Sequence, residues 1–335
     1  MSGNWALSRG RAPLRGRVSL RGRFAAGSLL VPAVLAAAAL SACSTAPKPV
    51  AEVVARKNQA AEYSKLGDGF LAKRDYASAQ RFYEESLREN RAVDNTEGVA
   101  ISMNSIGRVY LAAGRLDDAE ATFREALDYA GPLKNPSFRA LALANLGEAL
   151  YARGDVAAAM EAFQEALPLA ARDERTLAVL LHDRAVVYRD QGEWAAAESD
   201  VRRAAGINQR LKRLAEYGAN LYLLGNIAHK KGNSEAALDL LRQALEADRK
   251  AENSAGIAAD LEALAVLSRG LGSREDAFHY YRRAFDVFVT LDSAEAALRC
   301  AEALAALAAE LERPEDVRRY REYAARIRSS LDARP

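Results

Sequence analysis

Leu143-Ala144-Asn145-Leu146-Gly147-Glu148-Ala149-Leu150-Tyr151-Ala152-Arg153-Gly154-Asp155-Val156-Ala157-Ala158-Ala159-Met160-Glu161-Ala162-Phe163-Gln164-Glu165-Ala166-Leu167 decides the fold of this 335-residue chain. Apolar residues recur at i, i+3, i+4 and i+7 on both sides of Gly154, which predicts two amphipathic helices joined by a tight turn. Gly147, Ala159 and Ala166 are small. Antiparallel helices approach to ~8–10 Å only where crossing side chains are short. Phe163 is the large residue left to fill the space toward the next unit.

The same arrangement returns along the chain. Ala159 has counterparts at Ala79, Ala119, Ala197, Ala237, Ala277 and Val317, spaced by 40 residues except for 38 between Ala159 and Ala197. Twelve residues before each stands Gly67, Gly107, Gly147, Ala185, Gly225, Ala265 or Ala305, usually after a leucine or isoleucine; Arg184 breaks that rule. Four residues after come Tyr83, Phe123, Phe163, Val201, Leu241 and Tyr281, and a turn glycine recurs at Gly114, Gly154, Gly192, Gly232 and Gly272. A fixed period of this size marks a stack of one supersecondary unit. With no strand-like alternation, the expected class is all-α.

This pattern resembles the tetratricopeptide repeat (TPR), over roughly residues 60 to 330. The resemblance implies a right-handed superhelical solenoid of about seven helix-turn-helix repeats, starting near 60, 100, 140, 178, 218, 258 and 298. The period departs from the usual 34 residues and is similar to the longer repeats of Pins-type and kinesin-light-chain TPR proteins. The extra residues are expected after the second helix, at 91–97, 131–137 and 210–216. The 38-residue interval is expected to alter the local twist. The last repeat, with Glu312 at the turn position and Val317 for alanine, reads as a cap.

Residues 1–23 carry six arginines and no acid, and an apolar alanine-rich stretch runs on to Leu40-Ser41-Ala42-Cys43. Together these read as a secretion signal over 1–42. The tetrapeptide resembles a lipobox, which implies cleavage and acylation at Cys43, with 43–59 as a flexible tether and 60–335 as the solenoid. The arginines stay cytoplasmic by the positive-inside tendency. Ser44 is similar to the residue that sorts lipoproteins to the outer membrane, so the expected location is the bacterial cell envelope, facing the periplasm. Without the six arginines, 47 basic residues become 41 against 45 acidic, a net charge near −4. That excludes a global basic footprint for nucleic acid.

Catalytic signatures are missing: the sequence has no H-E-x-x-H, paired C-x-x-C, phosphate-binding glycine loop or G-x-S-x-G. His182, His229 and His279 fall in three different repeats, so no metal, cofactor or small-molecule substrate is expected. Cys300 reads as a buried structural thiol. The expected function is therefore binding. In TPR superhelices the first helix of each repeat lines the concave face. That resemblance assigns Asp68, Asn104, Arg108, Glu148, Tyr151, His182, Arg189, Tyr222, Asn226, His229, Lys230, Glu262 and Arg269 to a partner-binding groove. Arg189, His229, Lys230 and Arg269 make its C-terminal half locally basic, which suits an acidic segment of a protein or peptide partner. The chain resembles TPR lipoproteins of outer-membrane protein insertion, of pilus secretin assembly and of peptidoglycan-enzyme regulation. A self-associating scaffold is the alternative, and an enzyme with an unrecognised site stands behind it.

Overall fold

The computed structural model describes residues 49–333. Among them are fourteen helices and no strands. The first helices of the seven repeats are α1 (Val50–Ala72), α3 (Thr96–Ala112), α5 (Ser137–Ala152), α7 (Glu174–Asp190), α9 (Leu214–Lys230), α11 (Ser254–Gly270) and α13 (Ala294–Glu310). The second helices are α2 (Tyr76–Ala92), α4 (Leu116–Ala130), α6 (Val156–Leu169), α8 (Trp194–Arg210), α10 (Ser234–Lys250), α12 (Arg274–Thr290) and α14 (Pro314–Asp332). Each helix packs on its neighbours in chain order. The structure is an all-α repeat solenoid.

The periodic small and large residues meet within each repeat. A Cβ placed on Gly147 would lie 2.5 Å from the ring of Phe163, and one on Gly67 2.7 Å from Tyr83. The glycine of the first helix is thus the seat of the aromatic on the second. Phe163, Phe123 and Tyr83 are fully buried, and each such burial contributes roughly 2–3 kcal/mol. Where the seat is Ala185, the partner shrinks to Val201. Arg184, out of pattern in the sequence, is explained by a bidentate pair with Asp200 on α8, Nε to Oδ2 at 2.7 Å and a second guanidinium nitrogen to Oδ1 at 2.9 Å. A charge-assisted fork replaces the apolar contact made by the leucines of other repeats.

The extra residues do not sit in a loop after the second helix. Nine of the fourteen helices are 17 residues long, so 40 residues divide into two such helices and two three-residue turns. Longer links occur only at residues 131–136, between α4 and α5, and 170–173, between α6 and α7. Turns of both kinds close with the same device. After α3, the Arg115 N–H donates to Tyr110 O at 2.8 Å and the Gly114 N–H to Leu111 O at 3.0 Å, around a left-handed residue at φ 73°, as in a Schellman cap. The turn between repeats after α8 repeats it on Lys212 at φ 56°. Asp75, Asp155, Asp173, Asn233 and Asn253 accept from N–H groups opening the next helix, satisfying donors the helix cannot pair itself.

The expected tether to residue 59 is also corrected. Helix α1 begins at Val50, because the chain from there already packs on α2: Arg56 pairs with Glu89 at 2.9 Å, and Ala60 is buried. Residues 1–48, with Cys43 and the expected signal, lie outside the described residues. The short interval falls in α6, only 14 residues long with Pro168 near its end. Proline withholds an N–H there. α6 and α7 make the sparsest contact of any consecutive pair, and a cleft of about 710 Å³ opens between Pro136, Pro168, Asp173 and Leu211.

Candidate partner-binding groove

Successive first helices α3, α5 and α7 touch one another, while no two successive second helices make more than incidental contact. A stack that is tight along one row and open along the other is concave on the tight side. The first helices therefore line the groove, and winding brings the two ends near each other. Arg74, in the first turn, shares a cavity of about 490 Å³ with Glu262, Glu295, Arg299 and Leu331.

Tyr222, Asn226 and His229 of α9 and Glu262 of α11 are brought together around a pocket of about 250 Å³, with Gly225, Leu241, Ala263, Val266 and Leu267 completing it. Its floor is apolar and its rim can donate and accept hydrogen bonds, the composition of a side-chain anchor site. Val266 is 51% exposed. Val266 was not among the sequence-predicted residues; an apolar residue at a helical spacing looks like core until its exposure is known.

Other predicted residues are already engaged. Asn104 is buried; its Nδ2 donates to Ala100 O at 3.2 Å, and its Oδ1 accepts from Asn145 Nδ2 at 3.1 Å. It ties α3 to α5. The Tyr151 hydroxyl on α5 donates to Asp190, and Arg189 forks onto the same carboxylate at 2.7 and 3.0 Å. The Arg189 guanidinium and that hydroxyl hold Asp190 below the usual carboxylate range. Arg269 pairs with Glu310 at 2.7 Å. Two of the four cations expected to attract an acidic partner are therefore matched within the protein. Lys230 and His229 are exposed and make no ion pair among the described residues.

The groove's centre holds an acidic pair that spacing alone did not reveal. Arg108 and Glu148 are exposed on α3 and α5, and Asp183 on α7 faces them both. Glu148 is exposed as a residue, and the protein around it partly desolvates its carboxylate. That burial raises its pKa while Arg108 pulls it down. Asp183 is pushed well above the ordinary aspartate range by burial, then by Glu148, with Arg108 opposing. Beside it, His182 is held neutral: burial, then Arg189, lowers it to about 4. Its tautomer follows from its neighbours. Asn208 Nδ2 donates to Asn220 Oδ1 at 2.9 Å, so Asn220 Nδ2, 2.7 Å from His182 Nδ1, must donate to that nitrogen. The ring proton is then on Nε2. Ala178, Val179, His182, Asp183, Asn208, Glu216, Ala219 and Asn220 enclose a pocket of about 100 Å³. No three histidine, cysteine or acidic residues converge as a metal site among the described residues.

The Tetratricopeptide repeat family models match residues 59–130 and 176–250, and a second such model matches 104–174. The chain belongs to the tetratricopeptide repeat family. No curated protein sequence matches it significantly. Among solved structures it is similar to the signal-transduction ATPase with a tetratricopeptide repeat sensor, PH0952 of Pyrococcus horikoshii, with a TM-score of 0.66 and 16% identity over 85% of this chain and 44% of that one. The Rap conjugation gene regulator of plasmid pLS20, in complex with the Phr* peptide, gives a TM-score of 0.59 and 16% identity over 82% of this chain and 75% of that one. PilF of Pseudomonas aeruginosa gives 0.51 and 16%, over 72% and 95%. At these identities the likeness is one of fold. No described helix is long and apolar enough to cross a membrane.

Proposed function

We propose that the chain is a binding adaptor that holds an extended segment of a protein partner in its concave groove, with the Tyr222–Val266 pocket as the main anchor. The observation that carries this reading is that pocket: an apolar floor with Tyr222, Asn226, His229 and Glu262 on one rim. Tyrosine gives large contact area at low entropy cost, and asparagine can bond a peptide backbone. The peptide complex of the similarly folded pLS20 regulator supports a peptide-sized occupant. Lys230 and His229 are the groups left to hold an acidic side chain or terminus of that partner. Lipid attachment at Cys43 would place the adaptor on the periplasmic side of the outer membrane, in assembly or regulation of an envelope machine; the Leu40–Cys43 sequence and the arginines before it support this.

Two substitutions separate anchor from groove. Val266→Asp puts a charge on the pocket floor and is expected to abolish binding of peptides selected on the wild-type chain. Lys230→Glu is expected to weaken only peptides carrying an acid. Unchanged binding by Val266→Asp would overturn the pocket's role. For the anchor, Cys43→Ser is expected to release the protein from the membrane fraction; retention with acylation intact would end the lipobox reading.

A further inference from the structure

The 100 Å³ pocket between α7 and α9 is lined in part by Asp183, one of whose carboxylate oxygens has no partner among the described residues. Asp183 Oδ2 is buried and makes no hydrogen bond. Buried polar atoms are nearly always paired. The exception therefore calls for an explanation. The neighbouring amide and guanidinium donors are committed, and the His182 Nε2–H makes no hydrogen bond to Asp183. The Asn220 amide goes to His182 Nδ1, the Asn208 amide goes to Asn220, and Arg213 reaches Asn208 Oδ1 at 3.4 Å and also pairs with Glu216. Across the groove, Glu148 repels Asp183 and Arg108 attracts it, but Arg108 makes no ion pair with either carboxylate. The remaining walls, Ala178, Val179 and Ala219, are apolar.

We infer that this pocket receives the cationic head of a lysine or arginine side chain carried by the segment bound in the groove, with Asp183 as its counter-ion. The inference rests on the groove reading above. Its volume admits the end of one long side chain, and its apolar walls suit the methylene stem that such residues bury behind their charge. A bare metal ion lacks sufficient ligands here. A cation beside Asp183 would supply the missing donor and offset the repulsion from Glu148. It also fixes the order of charge along the partner: a basic residue opposite repeats four and five, and any acid further on, near Lys230.

Binding needs the ionised carboxylate, so affinity for a cation should rise with pH as Asp183 loses its proton. Burial, then Glu148, with Arg108 opposing, set this titration; His182 on the same helix and Glu216 on α9 are the other titratable groups lining the pocket.

The test uses the purified chain and four probes: the Nα-acetyl amides of lysine, arginine, glutamate and norleucine, followed by NMR of the His182 ring. His182 is assigned through its loss in His182→Gln. Lysine or arginine amide should shift the ring saturably, norleucine and glutamate amides should not, and Asp183→Asn should weaken the cation about tenfold or more. Equal shifts from norleucine and lysine, or unchanged lysine affinity in Asp183→Asn, would overturn the inference. Glu148→Gln serves as a second variant and is expected to weaken the cation less. Selection from a random peptide display library keeps the two readings apart. Peptides enriched without a basic residue, and equally by Asp183→Asn, would defeat the Asp183 pocket and leave the groove intact. No enrichment at all over the Val266→Asp chain would defeat the groove.

Discussion

Gly147→Ala tests the packing that defines the repeat. In the middle of a helix, replacing glycine by alanine ordinarily stabilises by about 1 kcal/mol. Here the new methyl would stand 2.5, 2.8 and 2.9 Å from three ring carbons of Phe163, where carbon atoms prefer ~3.5–4.0 Å. Phe163 is fully buried, so it must move by nearly an ångström into atoms already in contact. Overpacking of that kind costs roughly 1–3 kcal/mol, and set against the helix gain the net expectation is a loss of up to about 2 kcal/mol. Gly206→Ala in α8 is the matched control, because nothing lies within 4 Å of its added Cβ; it should gain up to about 1 kcal/mol. The two identical substitutions should therefore differ by some 2 kcal/mol in opposite directions. Urea titration followed by circular dichroism measures both, and hydrogen exchange should place the Gly147→Ala loss in α5 and α6. Adding Phe163→Leu to Gly147→Ala should recover part of it. A Gly147→Ala chain stabilised as much as the Gly206→Ala control would refute the view that this glycine exists to seat the ring.

Other outcomes follow from the same structure. Lys212, at φ 56° in the turn after α8, carries a left-handed cost of roughly 1–2 kcal/mol; Lys212→Gly should raise the melting temperature, and Gly232→Ala, at φ 82°, should lower it. Asp260 lies buried against Asp248, and burial first, then Asp248, pushes it up to about 8. Its Oδ2 has no donor, so the pair is held by a shared proton. Between the ordinary aspartate range and pH 8 the native state keeps a proton that the unfolded chain has released, so stability must fall as pH rises through that window. The slope is about 1.4 kcal/mol per pH unit, and Asp260→Asn should flatten it in melts from pH 5 to 9. Cys300 is buried, and burial, then Glu262, pushes its thiol up to about 12; peptide mapping after thiol labelling at pH 8 should find it modified only once the chain is unfolded.

The repeat was legible because its signal is steric. Gly147 and Phe163 must be small and large wherever two helices cross this closely, so the pattern returns through six repeats and lapses only in the last, where Arg321 takes the large residue's place. The turn glycines were legible for the same reason. The turns between repeats were not, because Lys212, Glu252 and Asp292 hold the same left-handed conformation without the residue that advertises it. Hence 210–216 read as extra residues beyond the second helix, although only 211–213 leave the helices. The groove was legible in part. Counting positions found Tyr222, Asn226, His229 and Glu262 together. The same count placed Asn104 and Arg189 among the binding residues, but could not show that Asn145 and Asp190 engage them. Asp183 was passed over because its place in the repeat is not one that the resemblance assigns to the groove. A polar residue in that slot is informative only after its neighbours are seen to leave it unpaired.

The central claim is that partners enter along the first helices and not along the second. A photo-crosslinking amino acid at Tyr222, on the pocket rim, and another at Arg242, exposed on α10, test it in living cells. The account predicts a discrete adduct from position 222, lost with Val266→Asp, and none from position 242. Adducts from 242 alone, or the same products from both positions, would contradict it.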